Sequence, residues 1–165
     1  LVLALLTLLA APLLADGGLS ASKREAGLPG TSAERLRELA ADSRWEVREV
    51  LASNRRAPAD LLDRLAADPD QRVRIAVATN LSTSQEIHMR LARDPEPQVR
   101  SVVARFEYLP IPVLMLLAEV PLVDIRLEVA RSLNANEQLL RKVMQDPDPS
   151  VSQTAEQALQ ALMTR

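Results

Sequence analysis

Apolar and polar positions along this chain return in the same order every 26 residues. Taken by column, the positions equivalent to 61, 62, 65 and 66 are apolar in nearly every copy, and those equivalent to 63, 64 and 67 are usually charged or small. A spacing of i, i+1, i+4, i+5 draws one stripe along a helix and is not a strand alternation. Leu39, Leu65, Leu91, Leu117 and Val143 mark this first helix of each copy, while Ala26, Ala52, Ala78, Ala104 and Ala130 mark a second. A helix pair of this length cannot bury its apolar stripe alone, so a fixed period of this size predicts stacked copies.

The punctuation between stripes is equally regular. Ser32, Pro58, Ser84, Pro110 and Asn136 precede the first helices, and these residue types suit a helix cap or first turn. Each first helix should run about ten residues to an Asp. Asp-Pro then ends it, with the Asp capping free N–H groups and Pro69, Pro95, Pro121 and Pro147 opening the next helix. That second helix is short, with Val73 to Thr79 its clearest copy. Asn54 and Asn80 follow as C-terminal stops, since Asn tolerates the left-handed conformation. From Val151 the pattern loses its Arg and runs on toward Arg165, as a capping repeat should. The expected division is an apolar, degenerate segment over 1–25, the repeat array over 26–149 and a capping helix over 150–165. Residues 1–15 carry no charge. They read either as the buried helix of a degenerate first repeat or as an export or anchoring segment, although a signal peptide's basic n-region is missing.

The run Leu-Ala-x-Asp-Pro-x-x-x-Val-Arg-x-x-Val-Ala-x-Asn, as in Leu65 to Asn80, resembles the leucine-rich repeat variant family and, more loosely, HEAT-like repeats. The resemblance covers roughly residues 26–160. It implies an all-α fold, a right-handed α-solenoid of about five to six stacked helix pairs, serving as a scaffold for protein contacts. One member type carries an Fe–S cluster on a Cys-rich segment; this chain has no Cys, so that activity is not carried over. In HEAT-like repeats the Asp and Arg columns resemble a ladder of hydrogen bonds. Asp42, Asp68 and Asp94 are therefore expected to meet Arg48, Arg74 and Arg100 within or between repeats, the alternative being capping Asp and solvated Arg. Held in a partly buried turn, such bonds contribute about 1.5–3 kcal/mol each. Val120 removes the acid from one rung, which puts Arg126 in doubt unless Asp124 substitutes.

Composition changes the picture by exclusion. Aromatic content is 2% and hydrophobic content 47%, which suits helices packed through Leu, Ala and Val more than a sandwich. Net charge is −2, so no global field draws the chain to nucleic acid or an anionic membrane. Eighteen of the twenty basic residues are Arg, the better residue for fixed, forked hydrogen bonds. Absence of Cys removes disulfides, thiolate catalysis and zinc–cysteine sites. His88 stands alone in a column of Leu36, Leu62, Leu114 and Leu140, so it reads as a packed histidine and no metal or triad follows. The glycines lack the spacing of a phosphate loop.

What remains is a candidate surface. Met89, Met115 and Leu116 fill first-helix columns that elsewhere hold Arg37, Glu38, Asp63, Arg64, Arg141 and Lys142. Side by side they form either an exposed apolar patch for a partner or simply a more buried helix. Trp45, Phe106 and Tyr108 are interface anchors or turn packing. Arg105 and Arg131 lie on the second helices, facing an acidic partner or solvent. The expected function is a non-catalytic scaffold that binds another protein, cytoplasmic and without cofactor. A nucleic-acid-processing helical repeat is the first alternative, disfavoured by net charge and three aromatics. An exported or membrane-tethered form, through residues 1–15, is the second.

Overall fold

The computed structural model describes residues 17–164. All regular structure among them is helical, in eleven helices. The expectations for residues 1–15 lie outside the described residues. Residues 1–82 and residues 83–165 form two compact units.

The first unit contains α1 (Leu19–Gly27), α2 (Ala33–Leu39), α3 (Trp45–Ser53), α4 (Ala59–Leu65) and α5 (Gln71–Thr79). The second-type helices α1, α3 and α5 pack in sequence, α3 against both others. Their apolar stripes meet at Ala26, Val47, Leu51, Ala52, Val73 and Val77, none of which reaches solvent. Such small side chains let helix backbones approach closely, which is what an aromatic-poor composition permits. Leu36, Leu39, Leu61, Leu62 and Leu65 of α2 and α4 are buried in the same unit. Each fully buried Leu contributes about 1.5–3 kcal/mol.

The second unit contains α6 (Gln85–Leu91), α7 (Pro97–Ala104), α8 (Ile111–Leu117), α9 (Val123–Arg131), α10 (Glu137–Val143) and α11 (Pro149–Met163). Here α6, α8 and α10 succeed one another as first-type helices, and α7, α9 and α11 as second-type ones. Helix α11 is the longest described and packs against both α9 and α10 through Val151, Ala155 and Leu159.

Ser32, Pro58, Ser84, Pro110 and Asn136 are the N-caps of the five described first-type helices. Ser32, Ser84 and Asn136 accept from N–H groups three residues on, at 2.8–3.3 Å. Three local expectations are corrected. First-type helices span seven residues, because the last residues before each Asp close a turn and leave the helix early. Pro69, Pro95, Pro121 and Pro147 sit in that turn, ahead of the N-caps, and it is Pro97 and Pro149 that occupy the first helical position. Asn54 and Asn80 are extended, with φ of −72° and −76°, and among the described residues only Gly17 and Gly18 have positive φ. Asn was read as a backbone-conformation residue; its side chain is what the fold uses.

Candidate interaction surface

Except at Val120, the turns between first-type and second-type helices are built on a buried or half-buried Asp column. Asp68 Oδ1 accepts from the Asp70 N–H at 2.9 Å, and Asp94 and Asp146 repeat this bond with Glu96 and Asp148. Six residues on, the Arg column turns back. The Nη1 groups of Arg48, Arg74, Arg100 and Arg126 donate to the carbonyls of residues 42, 68, 94 and 120 at 2.6–3.0 Å. Within a repeat, Arg therefore meets backbone and not the Asp carboxylate.

The carboxylate comes from the following repeat. Arg48 donates through Nε and Nη2 to both oxygens of Asp68, at 2.6 and 2.9 Å. Arg126 grips Asp146 in the same way at 2.6 and 3.0 Å. These forks are well shielded, with side chains 12% and 5% exposed in the first pair and 11% and 7% in the second. Charge-assisted fork geometry of this kind is among the stronger polar contacts in proteins. Arg126 thus needs no acid at position 120 or at Asp124, taking only the Val120 carbonyl from its own turn. The doubt raised by Val120 falls instead on Arg100, whose forward position it occupies.

At the first rung the column holds Ser22 where an Arg would stand. Arg44 fills the gap: its Nε and Nη2 bind Asp42 at 2.8 and 2.6 Å, and it also reaches Ser22 Oγ and the Gly17 carbonyl. The sequence carried a signal for this, since Arg44 stands in a column of Asp70, Glu96 and Asp148. Hydrogen bonding to Arg44 holds the Asp42 carboxyl below its ordinary range, and Arg126 does the same for Asp146. Asp70 is lowered from 3.8 to about 2, first by its hydrogen bonds to Arg72. A carboxyl depressed in the folded state stabilises the fold fully above its unfolded value and loses that contribution as pH falls through its folded value. Melting temperature should therefore hold down to about pH 4 and fall steadily toward pH 2. Asp70→Asn should flatten that descent, and an unchanged profile in circular dichroism would refute the assignment.

A second set of side-chain bonds was missed by sequence reasoning. Asn54 Nδ2 donates to the Ala26 carbonyl at 2.8 Å, and Asn80 Nδ2 donates to the carbonyls of Ala52 and Asn54 at 2.6 and 2.9 Å. Their Oδ1 atoms accept from Arg56 and Ser82 N–H groups at 2.9 Å. Each Asn ties the end of one second-type helix to the next. In the second unit Phe106 takes the Asn position and stacks on His88, ring centroids 4.8 Å apart. His88 is buried, its Nδ1 3.1 Å from the Ser84 carbonyl oxygen.

The candidate partner residues separate by exposure. Met89 on α6 and Met115 and Leu116 on α8 are half-buried, on helices that touch, so the patch is narrower than its sequence suggests. Arg105 and Arg131 are exposed, and Arg105 lies 3.4 Å from Glu128. Trp45 is covered by Arg72, whose guanidinium sits 3.3 Å from the ring centroid while Asp70 holds its fork. Phe106 is half-buried; Tyr108 is 63% exposed, edge-on to Phe106. Leu81 and Leu133, the more open aliphatic side chains, went unnoticed although they share the column of Arg55 and Glu107. In the first unit a groove of about 520 Å³ runs past Ala41, Asp42, Arg48, Arg64, Asp68 and Pro69. Among the described residues no three His, Cys, Asp or Glu side chains are placed to hold a metal, and no helix is long and apolar enough to cross a membrane.

Fold and surface together define an all-helical repeat protein, its helix pairs joined by side-chain rungs. Residues 20–81 match the family model described as the Leucine Rich Repeat Variant domain. Among solved structures, "a leucine-rich repeat variant with a novel repetitive protein structural motif" is 28% identical, with 91% of this chain and 70% of that chain covered and a TM-score of 0.39. No curated protein matches the chain.

Proposed function

We propose that this chain is a non-catalytic scaffold whose second unit binds another protein through Met89, Met115 and Leu116, flanked by the exposed Arg105 and Arg131. One observation carries the reading. On two touching first-type helices, columns that elsewhere hold Arg37, Asp63, Arg64, Arg141 and Lys142 are apolar yet still reached by solvent. Apolar side chains that solvent still reaches gain from being covered, and flexible Met adapts to the covering surface. The forks of Arg48 and Arg126 are engaged by Asp68 and Asp146, which leaves them to hold the scaffold.

The test is capture from native lysate on the immobilised chain and on a Met115→Lys/Leu116→Lys variant whose helicity is verified by circular dichroism. The wild type should retain a partner that the variant loses. Equal capture by the folded variant would remove the patch from consideration.

A further inference from the structure

The Arg column has one fork whose seat is vacant. In the two filled rungs of the described units, Nη1 of the Arg is tied to its own turn while Nε and Nη2 grip the Asp 20 residues on. Arg100 is tied in the same manner, donating through Nη1 to the Asp94 and Pro95 carbonyls at 2.6 and 3.1 Å. By the register of the filled rungs, Val120 holds the position of the acid that its remaining edge would take. Among the described residues no carboxylate binds it.

The loss is double. A second acid stands beside each filled seat, Asp70 next to Asp68 and Asp148 next to Asp146. At Arg100 both positions are aliphatic, Val120 and Leu122, and the Leu122 side chain is 38% exposed. The nearest acid in sequence, Glu119, is already held by Lys142 at 2.6 Å. The arrangement is a guanidinium aimed by two backbone carbonyls, with its forked edge free and an aliphatic rim beside it. The first rung, by contrast, repaired its own defect through Arg44.

We infer that the Arg100 fork is a seat for a carboxylate supplied in trans, the Asp or Glu side chain of an acidic peptide segment whose neighbouring apolar residue lies on Val120 and Leu122. Asp68 and Asp146 are the template: their carboxylates occupy the equivalent seats with two bonds of 2.6–3.0 Å. A free guanidinium edge selects for negative charge, and its fixed orientation selects a bidentate planar acceptor. Leu116 stands in the column of Arg64, which borders the first unit's groove beside Arg48 and Asp68, so the register makes this column aliphatic as well. The inference rests on the protein-binding reading and names the chemistry of the partner segment.

The seat can be closed from inside. Val120→Asp returns the missing acid, and Val120→Thr is a near-isosteric control that leaves the fork open. Peptides are selected from a random dodecapeptide phage library on the full-length wild type, then measured by fluorescence anisotropy as synthetic peptides. Selected peptides should share one Asp or Glu, and changing it to Asn or Gln should weaken binding about tenfold or more. Val120→Asp should melt higher than wild type and lose the peptides by a similar factor, while Val120→Thr binds as wild type does. Arg100→Lys, which keeps the charge but not the fork, should also bind more weakly. Selection of nothing, selection without a shared acid, or equal binding by Val120→Asp would each overturn the seat. Acid-free peptides that bind wild type but not the Met115→Lys/Leu116→Lys variant would overturn it while leaving the protein-binding reading in place.

Discussion

Asp68→Ala is expected to lower the unfolding free energy by about 3 kcal/mol, measured by chemical denaturation. The carboxylate is 5% exposed, takes both forked donors of Arg48 and also accepts from the Asp70 N–H. Removing it leaves a shielded guanidinium without its paired carboxylate, only Asp42 and Asp70 acting on it from farther off, and that weakened compensation is the larger part of the cost. Arg48→Ala should be severe for the converse reason. The double variant should cost clearly less than the sum, since the two share one interaction. Asp42→Ala separates the two possible pairings: it should release Arg44 and leave the Arg48 fork intact. A cost for Asp68→Ala below about 0.5 kcal/mol would place the rung with ordinary surface ion pairs and remove it as a stabilising feature.

Asn80→Gly is expected to cost about 2–3 kcal/mol and to be no better tolerated than Asn80→Ala. Both substitutions abolish two bonds to the Ala52 and Asn54 carbonyls and one from the Ser82 N–H, in a site only 4% exposed. If Asn80 stood there for a left-handed backbone, Gly would be the benign replacement and Ala the harmful one. Its φ of −76° removes that requirement. The order of the two melting temperatures decides the matter, and Gly matching wild type would sink the side-chain account.

The N-caps show what was legible locally. Ser32, Pro58, Ser84, Pro110 and Asn136 could be located from residue type and the stripe that follows, because capping needs only the residue and the next three N–H groups. Asn54 and Asn80 were equally visible as a column, but their acceptors lie 26–28 residues away. The local rule places them correctly at the helix ends, where they are the C-caps, but its reason, a left-handed backbone, does not hold. Arg44 is a charge reversal in its column, yet its use follows only from the fold, which brings it onto both Asp42 and Ser22. For Met89, Met115 and Leu116 the residue types leave an exposed patch and a more buried helix both open; the three side chains are half-buried, between the two.

By itself the sequence determined the all-helical class, the period, the helix starts and the absence of cysteine chemistry, since each follows from residue type and spacing. Only the tertiary structure decided which acid each Arg takes. In a 26-residue period an Arg stands six places after one Asp and 20 before the next, and the pattern repeats identically under either pairing. Stacking broke the tie. It brings the following turn onto the Nε and Nη2 edge of Arg48 and Arg126 while the Arg's own turn offers only carbonyls, so an acid missing at residue 120 opens the seat at Arg100 and not at Arg126.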